Sequence, residues 1–431
     1  MAAAGARLNL SNVLILSLVF PPDSVSTAEI MGDLAVDLRT RGHDVAVLTT
    51  TPHYNRDPVL ERAQPLSPHW GPLLRRSDYG GIPVFHVPMP AKTRSVPIRL
   101  LGWVGFHAVS VVAGAIMRRA PDVILVPSPP LSNGVAAWII GRLRRAPFIY
   151  NVQEIYPDIA INLGALRSQP LIRMLSALER FVYRKAAAIS VIAPRMRERL
   201  VAKGVPAAKI DVIPNFVDLG RLAPTPRLNE FSRRCDLDRV FTVTYAGNIG
   251  PAQGLEIAID AARLLSDQPQ VRFLIIGEGM MRKTLEAAAA TLPSGAVQLM
   301  EYQPNALMPQ IYGASDLCLV TQAAATGSDA IPSKVYRIMA SGRPVVAVTE
   351  SSSDLAALVR SADCGAVVEP GDAAGLAAVV RDAVRAPGEW QEKAARGRAH
   401  VAERYDRGTI SDRYDALIRQ VVGECCAAAR V

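Results

Sequence analysis

Glycine, amide and lysine residues recur in four short segments in the second half of the chain, three of which directly follow apolar runs. The segments contain Gly247, Asn248, Gly250, Gln253 and Gly254; Gly277, Glu278 and Gly279; Tyr302 and Gln303; and Asp329, Ser333 and Lys334. Glycine lets a backbone approach a ligand that a side chain would exclude, and lysine at a helix start attracts phosphate. One such loop is more often an ordinary connection, but four together predict a site for a nucleotide diphosphate.

Metal chemistry has weaker support in the sequence. Asp236 and Asp238 form an Asp-x-Asp motif, but the motif precedes an apolar run instead of following one, so we interpret it as solvated surface. Five cysteines are scattered without Cys-x-x-Cys spacing or nearby histidines; they are Cys235, Cys318, Cys364, Cys425 and Cys426. We therefore expect no metal site and a reducing, cytoplasmic location.

The apolar runs alternate with amphipathic stretches, which is the pattern of βαβ units in a parallel sheet covered by helices. The first half contains VLILSLVF, a helical pattern at 28–41, and further predicted strands at 45–50, 123–128, 148–153, 188–193 and 209–214. The second half contains predicted strands at 241–247, 271–277, 317–321 and 344–348. We interpret the first run of the chain, VLILSLVF, as a buried strand and not as a signal peptide.

A chain of 431 residues is too long for one ordinary core, so we expect two doubly wound, Rossmann-like α/β domains facing a cleft. The proposed domains are 1–215 and 216–404, and a C-terminal helix at about 405–431 could pack back on the first. The segment 219–227 contains two prolines and no strand pattern, which suits a linker. In such domains ligands bind beyond the carboxyl ends of the strands.

Residues 100–117 form the longest uncharged segment, and basic residues flank it on both sides: Lys92, Arg94 and Arg99, then Arg118 and Arg119. Its length approaches the lower limit for a membrane span. A helix is needed here between two strands, and a span would cut the first domain in two. We interpret the segment as a crossover helix that is buried or touches an interface, with an interfacial membrane helix as the alternative.

The net charge of +9 is concentrated in the first half of the chain. Residues 1–218 contain 25 Lys and Arg against 15 Asp and Glu, an excess of ten, whereas residues 219–431 contain 23 against 24. A basic surface attracts nucleic acid, an anionic bilayer or an anionic substrate. No nucleic-acid module is recognisable, so we favour a membrane surface and a pyrophosphate-bearing lipid over nucleic acid.

Five segments together carry a resemblance to a known family. They are PPDSVSTAEIMGDLAVDLRTRGHDVAVLTT (21–50), VQEIYPDIAINLG (152–164), VIPNFVD (212–218), IPSKVYRIMASGRPVVA (331–347) and CGAVVEPGD (364–372). Their order resembles glycosyltransferase family 4, retaining enzymes of the GT-B fold. Within that family the chain is most similar to the capsule, colanic-acid and O-antigen branch, of the WbuB-like type.

The resemblance implies a nucleotide-sugar donor bound by the second domain, with retention of configuration and neither metal nor cofactor, since the nucleotide sugar is a substrate. Family members commonly carry two glutamates eight positions apart, and the matching positions here hold Asp329 and Arg337. Asp329 is the implied catalytic acid, whereas the ribose ligand is replaced. Asn248 and Gln253 stand where many members place Arg and Lys, which leaves Lys334 as the main cation for the diphosphate.

The resemblance implies that the first domain binds a saccharide acceptor near the ends of its strands. Candidate acceptor-side residues are Ser26, Thr27, His53 and Tyr156. Glu154 and Asp158 could orient or deprotonate the acceptor hydroxyl. The alternative is that Asp158 caps a helix, Glu154 pairs with an arginine and His53 is a packed loop residue.

These expectations describe a retaining glycosyltransferase that is peripheral on the inner face of the cell membrane and uses a lipid-diphosphate-linked acceptor in surface polysaccharide assembly. Two other functions stay open at this point. A GT-B-fold sugar-nucleotide 2-epimerase would share the nucleotide site, and a degenerate transferase would bind a nucleotide without catalysis. The replacement at Arg337 and the missing loop cations favour the latter.

Overall fold

The computed structural model describes residues 10–54, 56–90, 96–162, 164, 166–324 and 331–428. They form two compact units. The first unit contains the described residues up to Ile161, Leu166–Pro214 and the chain from Ile410 onward, and the second is built mainly from Asn215–Thr409. Each unit has its own sheet, mainly parallel in the first unit and parallel throughout in the second, so the predicted α/β class with two doubly wound domains is confirmed.

The described part of the first unit contains nine strands and seven helices before its C-terminal segment. The strands are β1 (Asn12–Leu16), β2 (Asp44–Thr50), β3 (Ser67–Trp70), β4 (Leu74–Tyr79), β5 (Ile82–Val87), β6 (Val123–Pro127), β7 (Phe148–Val152), β8 (Ala188–Val191) and β9 (Ile210–Val212). The helices are α1 (Ser26–Thr40), α2 (Pro58–Ala63), α3 (Val96–Ile116), α4 (Ser132–Arg144), α5 (Asp158–Asn162), α6 (Gln169–Lys185) and α7 (Pro194–Ala202).

The first sheet has the order β3-β4-β5-β2-β1-β6-β7-β8-β9. Strand β1 pairs in parallel with β2 on one side and β6 on the other, so the strand order reverses beside it. The pairs β3–β4 and β4–β5 are antiparallel, which corrects the all-parallel expectation at this edge. The hairpin escaped prediction because β3 is wholly exposed and β4, with the sequence LRRSDY, has no apolar run.

Helix α1 shows how the local sequence produces these elements. Its buried residues recur at helical spacing, and they include Ala28, Met31, Ala35 and Leu38. Gly42 follows the helix with φ of 96°, a conformation that glycine adopts without strain. The chain then enters β2, whose buried residues complete the first βαβ unit.

Helix α3 is the crossover between β5 and β6, as expected for residues 100–117, and it packs on α4 and on the sheet. Lys92 and Arg94 lie outside the described residues. No helix in the described part of the chain combines the length and the apolar character needed to span a membrane.

The second unit contains six strands and eight helices within its described residues. The strands are β10 (Phe241–Ala246), β11 (Val271–Ile276), β12 (Val297–Met300), β13 (Leu317–Thr321), β14 (Val345–Val348) and β15 (Gly365–Val368). The helices are α8 (Glu230–Arg234), α9 (Glu256–Leu264), α10 (Arg282–Ala289), α11 (Met308–Gly313), α12 (Lys334–Ala340), α13 (Asp354–Ser361), α14 (Ala373–Arg385) and α15 (Pro387–Arg404).

The second sheet has the order β12-β11-β10-β13-β14-β15, and all of its strand pairs are parallel. The order reverses between β10 and β13, and in open α/β sheets ligands bind beyond the carboxyl ends of the strands at such a point. The loops after β10 and β13 therefore flank the expected ligand position. These loops contain Gly247 and lead to Lys334, respectively.

The last helix, α16 (Arg407–Ala428), belongs to the first unit from Ile410 onward. Several polar contacts attach it there. His43 Nε2 lies 2.6 Å from Asp415 Oδ1, and Asn151 Nδ2 donates to the hydroxyl of Tyr414 at 2.9 Å. The Arg41 guanidinium donates to Asp412 at 2.7 Å.

Candidate functional site

Lys334 begins α12 in the second unit, and its ammonium lies against an aromatic face. Nζ stands 3.9 Å from the ring centroid of Tyr245, a fully buried residue of β10. The Tyr245 hydroxyl donates a 2.6 Å hydrogen bond to the carbonyl oxygen of Asn248, which fixes the ring. A cation over an aromatic face is stabilised by the ring quadrupole. Tyr245 therefore orients Lys334 toward the loop that follows β10.

Lys334 has no acidic partner in the part of the chain that the structure describes, because no carboxylate there forms an ion pair with it. Burial lowers the pKa of its ammonium to about 7. A buried cation without a counter-ion is unfavourable, so an anion bound beside it would restore the charged form. This is the electrostatic arrangement expected of an anion-binding lysine.

Gly247 is required by the position of Lys334. Its φ is 149°, and a Cβ atom built on it would lie 2.5 Å from Lys334 Nζ. Any side chain at this position would displace the ammonium from its place beside the loop. The absence of a side chain at Gly247 thus leaves room for the ammonium of Lys334, whether or not a ligand also approaches the backbone here.

Gly277 and Gly279 are required by packing between two loops. A Cβ atom on Gly277 would lie 1.8 Å from the carbonyl oxygen of Gly247, and one on Gly279 would lie 2.2 Å from that of Ile249. The backbone of Ile249 donates to the carbonyl of Glu278 at 2.8 Å and accepts from Met281 at 3.0 Å. The loops after β10 and β11 are therefore joined through their backbones.

The remaining residues of the first glycine loop hold one another in place. Gln253 Oε1 accepts from the Gly250 backbone at 3.0 Å and from Asn248 Nδ2 at 3.3 Å. Gly254 has φ of 56° and lies against Ala323, whose backbone donates to Ala252 at 2.9 Å. The contact brings the loop after β13 beside the loop after β10.

The other predicted donor residues lie at the same edge of this sheet. Glu278 is exposed and pairs with Arg282 at 3.1 Å, and Tyr302 is also exposed, beyond the end of β12. Gln303 Nε2 donates to the carbonyl of Glu301 at 3.1 Å. Ser333 directly precedes Lys334 and is half-buried. Asp329, the implied catalytic acid, lies outside the described residues.

The candidate acceptor-side residues lie at the carboxyl ends of strands in the first unit. His53 follows β2 and is buried, with Nδ1 3.0 Å from Thr50 Oγ1 and 3.7 Å from Asp23 Oδ2. Asp23 Oδ2 also accepts from the backbone nitrogens of His53 and Tyr54, at 3.1 and 2.9 Å. Burial lowers the pKa of His53, while the charge of Asp23 opposes that shift. His53 is thus a packed residue whose ring is positioned by a buried carboxylate.

Glu154 follows β7 and has no ion-pair or hydrogen-bond partner for its carboxyl group among the described residues. Part of the Glu154 residue is exposed to solvent. Partial burial of its carboxyl group nevertheless raises the pKa of that group. The predicted alternative of an arginine partner is therefore not observed in the described part of the chain. An unpaired carboxyl with a raised pKa can exchange a proton with a bound hydroxyl.

Asp158 has a structural role at the start of α5. Its carboxylate accepts from Arg199 at 2.9 Å and from Lys203 at 2.7 Å, and Lys203 also pairs with buried Glu179 at 2.7 Å. These contacts join α5, α6 and α7. The carboxylate of Asp158 is therefore occupied by ion pairs that stabilise the fold, in contrast to the carboxyl group of Glu154.

Ser26, Thr27 and Tyr156 occupy loop and helix-start positions at the same edge of the first sheet. Ser26 begins α1 and is exposed, whereas Thr27 and Tyr156 are half-buried. The backbone of Gln153 donates to Ser128 Oγ at 3.0 Å, which joins the loops after β6 and β7. The carboxyl-end edge of the first sheet therefore contains hydroxyl groups as well as His53 and Glu154.

Two residues important to these sites were not identified from the sequence. Tyr245 could have been found as the one polar-tipped aromatic residue in the apolar strand before the first glycine loop. Asp23 could have been found as a carboxylate that directly follows Pro21-Pro22, shortly after the first apolar run. Asp236 and Asp238 are exposed on either side of buried Leu237, before β10 and away from the strand ends. No group of metal-ligating side chains is present in the described residues.

Comparison with known families decides the class of protein. Residues 27–215 match the model of the Glycosyl transferase 4-like domain, and residues 240–385 match that of Glycosyl transferases group 1. The chain therefore belongs to the family 4 and group 1 glycosyltransferases. It is 26% identical over 384 residues to WcaI of Escherichia coli (strain K12), covering 87% of this chain and 92% of WcaI, whose name describes a colanic acid biosynthesis glycosyl transferase.

Solved structures show that this glycosyltransferase has the GT-B fold. Anabaena HepE in complex with UDP-glucose matches with a TM-score of 0.72 at 19% identity, over 96% of this chain and all of HepE. WaaG, a glycosyltransferase involved in lipopolysaccharide biosynthesis, matches with a TM-score of 0.66 at 16% identity, over 94% of this chain and 99% of WaaG.

Proposed function

We propose that this glycosyltransferase takes its sugar from a nucleoside diphosphate sugar bound by the second unit. The observation that carries the proposal is the ammonium of Lys334, which lies on Tyr245 beside Gly247 without an acidic partner in the described residues. The donor diphosphate supplies a negative charge beside this ammonium. HepE, which shares the fold, was solved with UDP-glucose, and this supports a nucleotide sugar as donor.

The chemistry follows from where charge develops. The bond between the anomeric carbon and the diphosphate oxygen breaks, its electron pair leaves with the nucleoside diphosphate, and the acceptor oxygen bonds to the same carbon while losing its proton. Lys334 stabilises the negative charge on the departing diphosphate, a contact worth about 2–4 kcal/mol in the transition state. The lysine supplies this charge, so the proposal includes no metal ion. Retention of configuration is part of the proposal.

The acceptor is proposed to bind at the strand ends of the first unit. Glu154 is the best placed base there, because its carboxyl has no partner in the described residues and a raised pKa. Asp23 holds His53 in place, and the ring of His53 can donate a hydrogen bond to the acceptor saccharide or accept one from it. Asp158 is excluded from this role because Arg199 and Lys203 occupy its carboxylate.

The acceptor is proposed to be a lipid-linked saccharide reached at an anionic membrane surface, in surface polysaccharide assembly. One face of α3 is apolar and exposed to solvent; it includes Ile98, Leu101, Val104, Val112 and Ile116. The excess positive charge of residues 1–218 would favour an anionic bilayer. The naming of WcaI for colanic acid and of WaaG for lipopolysaccharide biosynthesis supports this assignment.

Turnover of labelled sugar nucleotides with and without lipid extract tests the function. Transfer requires the lipid extract, whereas a 2-epimerase would convert the donor alone and a non-catalytic protein would do neither. A thermal-shift series with UDP-, GDP- and dTDP-sugars identifies the donor base. Lys334→Ala should lower kcat/KM by about 30- to 1,000-fold, and Lys283→Ala, an exposed lysine of the same unit, should leave it unchanged.

Vesicle sedimentation tests the membrane contact separately. The protein should bind anionic vesicles at low ionic strength and dissociate at high salt, because exposed charges are screened beyond a Debye length. Leu101→Asp with Val104→Asp should weaken binding, while Leu143→Asp, an exposed leucine of α4, should not. Equal binding to neutral and anionic vesicles would contradict the electrostatic part of the proposal.

A further inference from the structure

The first unit contains a cavity of about 750 Å³ that is separate from the strand-end residues described above. The sheet residues in its wall include Asn12 and Asp44, which begin β1 and β2. The cavity therefore lies toward the amino ends of the strands, at the opposite edge from His53 and Glu154. Its volume falls within the range of about 300–1,000 Å³ typical of small-molecule sites.

The floor of the cavity is one face of the sheet. Side chains in a strand alternate between the two faces, and the lining residues of β2, β4 and β5 are spaced two apart. They include Ala46, Leu48, Leu74 and Phe85. Leu48 and Phe85 are also directly paired across the β2–β5 ladder. The floor is therefore a continuous apolar surface.

The walls come from the C-terminal end of α3 and from β3. Ala113, Ile116 and Met117 contribute one side, and His69 and Trp70 contribute the other. The Trp70 residue is 39% exposed and Ile116 is 58% exposed, so apolar surface continues from the cavity to the outside. Ile116 also belongs to the exposed apolar face of α3. The cavity and that helix face thus share a residue and form one apolar path.

The charged residues of the lining are predominantly basic. Three arginines, Arg76, Arg118 and Arg119, lie there with one carboxylate, Asp44. Asp44 forms an ion pair with Arg119. Arg76 and Arg118 are exposed, and among the described residues neither guanidinium has an acidic partner. Their exposure places them at the opening, where two unpaired guanidinium groups would attract a phosphate.

We propose that this cavity binds one anionic phospholipid drawn from the membrane. An acyl chain lies on the apolar floor formed by Ala46, Leu48 and Phe85, and the phosphate contacts Arg76 and Arg118 at the opening. The inference rests on the membrane contact in the proposed function, since the bilayer supplies the lipid. It adds a discrete binding site to what would otherwise be general adsorption of a basic surface. Donor binding does not depend on it.

Binding of a monomeric lipid tests the site without a bilayer. Short-chain dihexanoyl phosphatidylglycerol, kept below its critical micelle concentration, is titrated into the full chain by calorimetry. We expect saturable binding of one lipid per chain. Arg76→Glu with Arg118→Glu should weaken the affinity about tenfold or more, which corresponds to at least about 1.4 kcal/mol. Arg75→Glu with Arg142→Glu makes the same charge change outside the cavity lining and should have little effect.

The choice of probe separates the chemical contributions. Dihexanoyl phosphatidylcholine should bind more weakly, because its choline group cancels the negative charge of its phosphate. Inorganic phosphate should not reach saturation, because it has no acyl chain for the apolar floor. Ala46→Phe should reduce lipid binding by filling the floor, and the two arginine pairs provide the test if that variant folds poorly. The proposal is overturned if the two arginine pairs have equal effects or if no saturable binding occurs. UDP binding measured in the same variants shows independently whether the donor site is intact.

Discussion

The ammonium of Lys334 and the ring of Tyr245 are 3.9 Å apart, and no carboxylate of the described residues shares in the contact. The ring holds the lysine in place without neutralising its charge. This combination keeps the cation available for an incoming anion and makes its protonation sensitive to pH. Donor binding should therefore depend on pH in a direction that the structure specifies.

The affinity for UDP should fall as the pH rises from 7 to 9. Burial lowers the pKa of Lys334 to about 7, so the free protein loses this charge above neutrality, and binding must then take up a proton. The charge of the diphosphate itself changes little in this range, since the last pKa of a phosphate monoester group is near 6. Calorimetry in buffers of different ionisation enthalpy measures the proton uptake. In Lys334→Met both the affinity and its pH slope should be lower; an unchanged slope would remove the assignment.

Gly247→Ala should weaken donor binding more than it destabilises the fold. The new methyl group would lie 2.5 Å from Lys334 Nζ and must push the flexible end of that side chain away. Gly371→Ala is the matched control, because Gly371 also has a positive φ, of 85°, but a methyl group there meets nothing within 4 Å. Gly371→Ala should lose about 1–2 kcal/mol of stability, and Gly247→Ala, whose φ is one that glycine alone adopts readily, should lose about 1–3 kcal/mol. Only Gly247→Ala should also raise the Kd for UDP.

Glu154→Gln should reduce transfer by about 10²–10⁴-fold while donor affinity stays unchanged. A carboxyl with a raised pKa acts as a base only above that pKa, so activity of the parent should rise with pH through an acid limb that lies above the usual range of a glutamate, because burial raises the pKa of Glu154. The limb should disappear in Glu154→Gln. If Glu154→Gln retains both the parent rate and the parent pH profile, another group accepts the proton.

Asp158→Asn should affect stability, in contrast to Glu154→Gln. The substitution removes the charge that holds Arg199 and Lys203, and it should lower the free energy of unfolding by about 1–3 kcal/mol. Denaturant unfolding measures this loss. The variant should retain transfer activity at temperatures where it is folded. A fully stable but inactive Asp158→Asn would reverse the roles assigned to the two acids.

Asp23→Asn should lower the pKa of His53 further. Burial already lowers it, and the charge of Asp23 partly opposes the shift. An NMR titration of the histidine rings measures the change. Asp57→Asn is the control, since Asp57 caps α2 through the backbones of Val59 and Leu60 and lies in the same region of the chain. Equal effects of the two substitutions on His53 would mean that Asp23 does not position it.

The sequence predicted the parallel strands well because their signal is local. Buried parallel strands are short apolar runs, and β1, β2, β6 and β10 all coincide with such runs. The antiparallel β3 and β4 lack this signal, since their side chains are largely exposed and their pairing depends on β5. Long-range pairing of polar strands has no counterpart in the local residue pattern.

The candidate site was predictable in its position but not in its contacts. Glycine spacing and strand ends indicated the loops at Gly247 and Gly277, and the structure joins these loops directly. The reason for glycine at 277 is the backbone of the neighbouring loop, which no local pattern encodes. The support of Lys334 by Tyr245 joins residues 89 positions apart, so it required the fold.

The return of the chain from the second unit to the first has a consequence for biosynthesis. Ile410 follows Pro214 by 196 positions, and residues from Ile410 onward complete the first unit. At about 5–20 residues per second, translation leaves a delay of roughly 10–40 s between the two segments. During that interval Asn215–Thr409 is synthesised, whereas Asp415 and Tyr414 are not yet part of the chain. His43 and Asn151 therefore lack these two partners until the interval ends. The domain that begins first on the ribosome is therefore the last to have all of its packing partners.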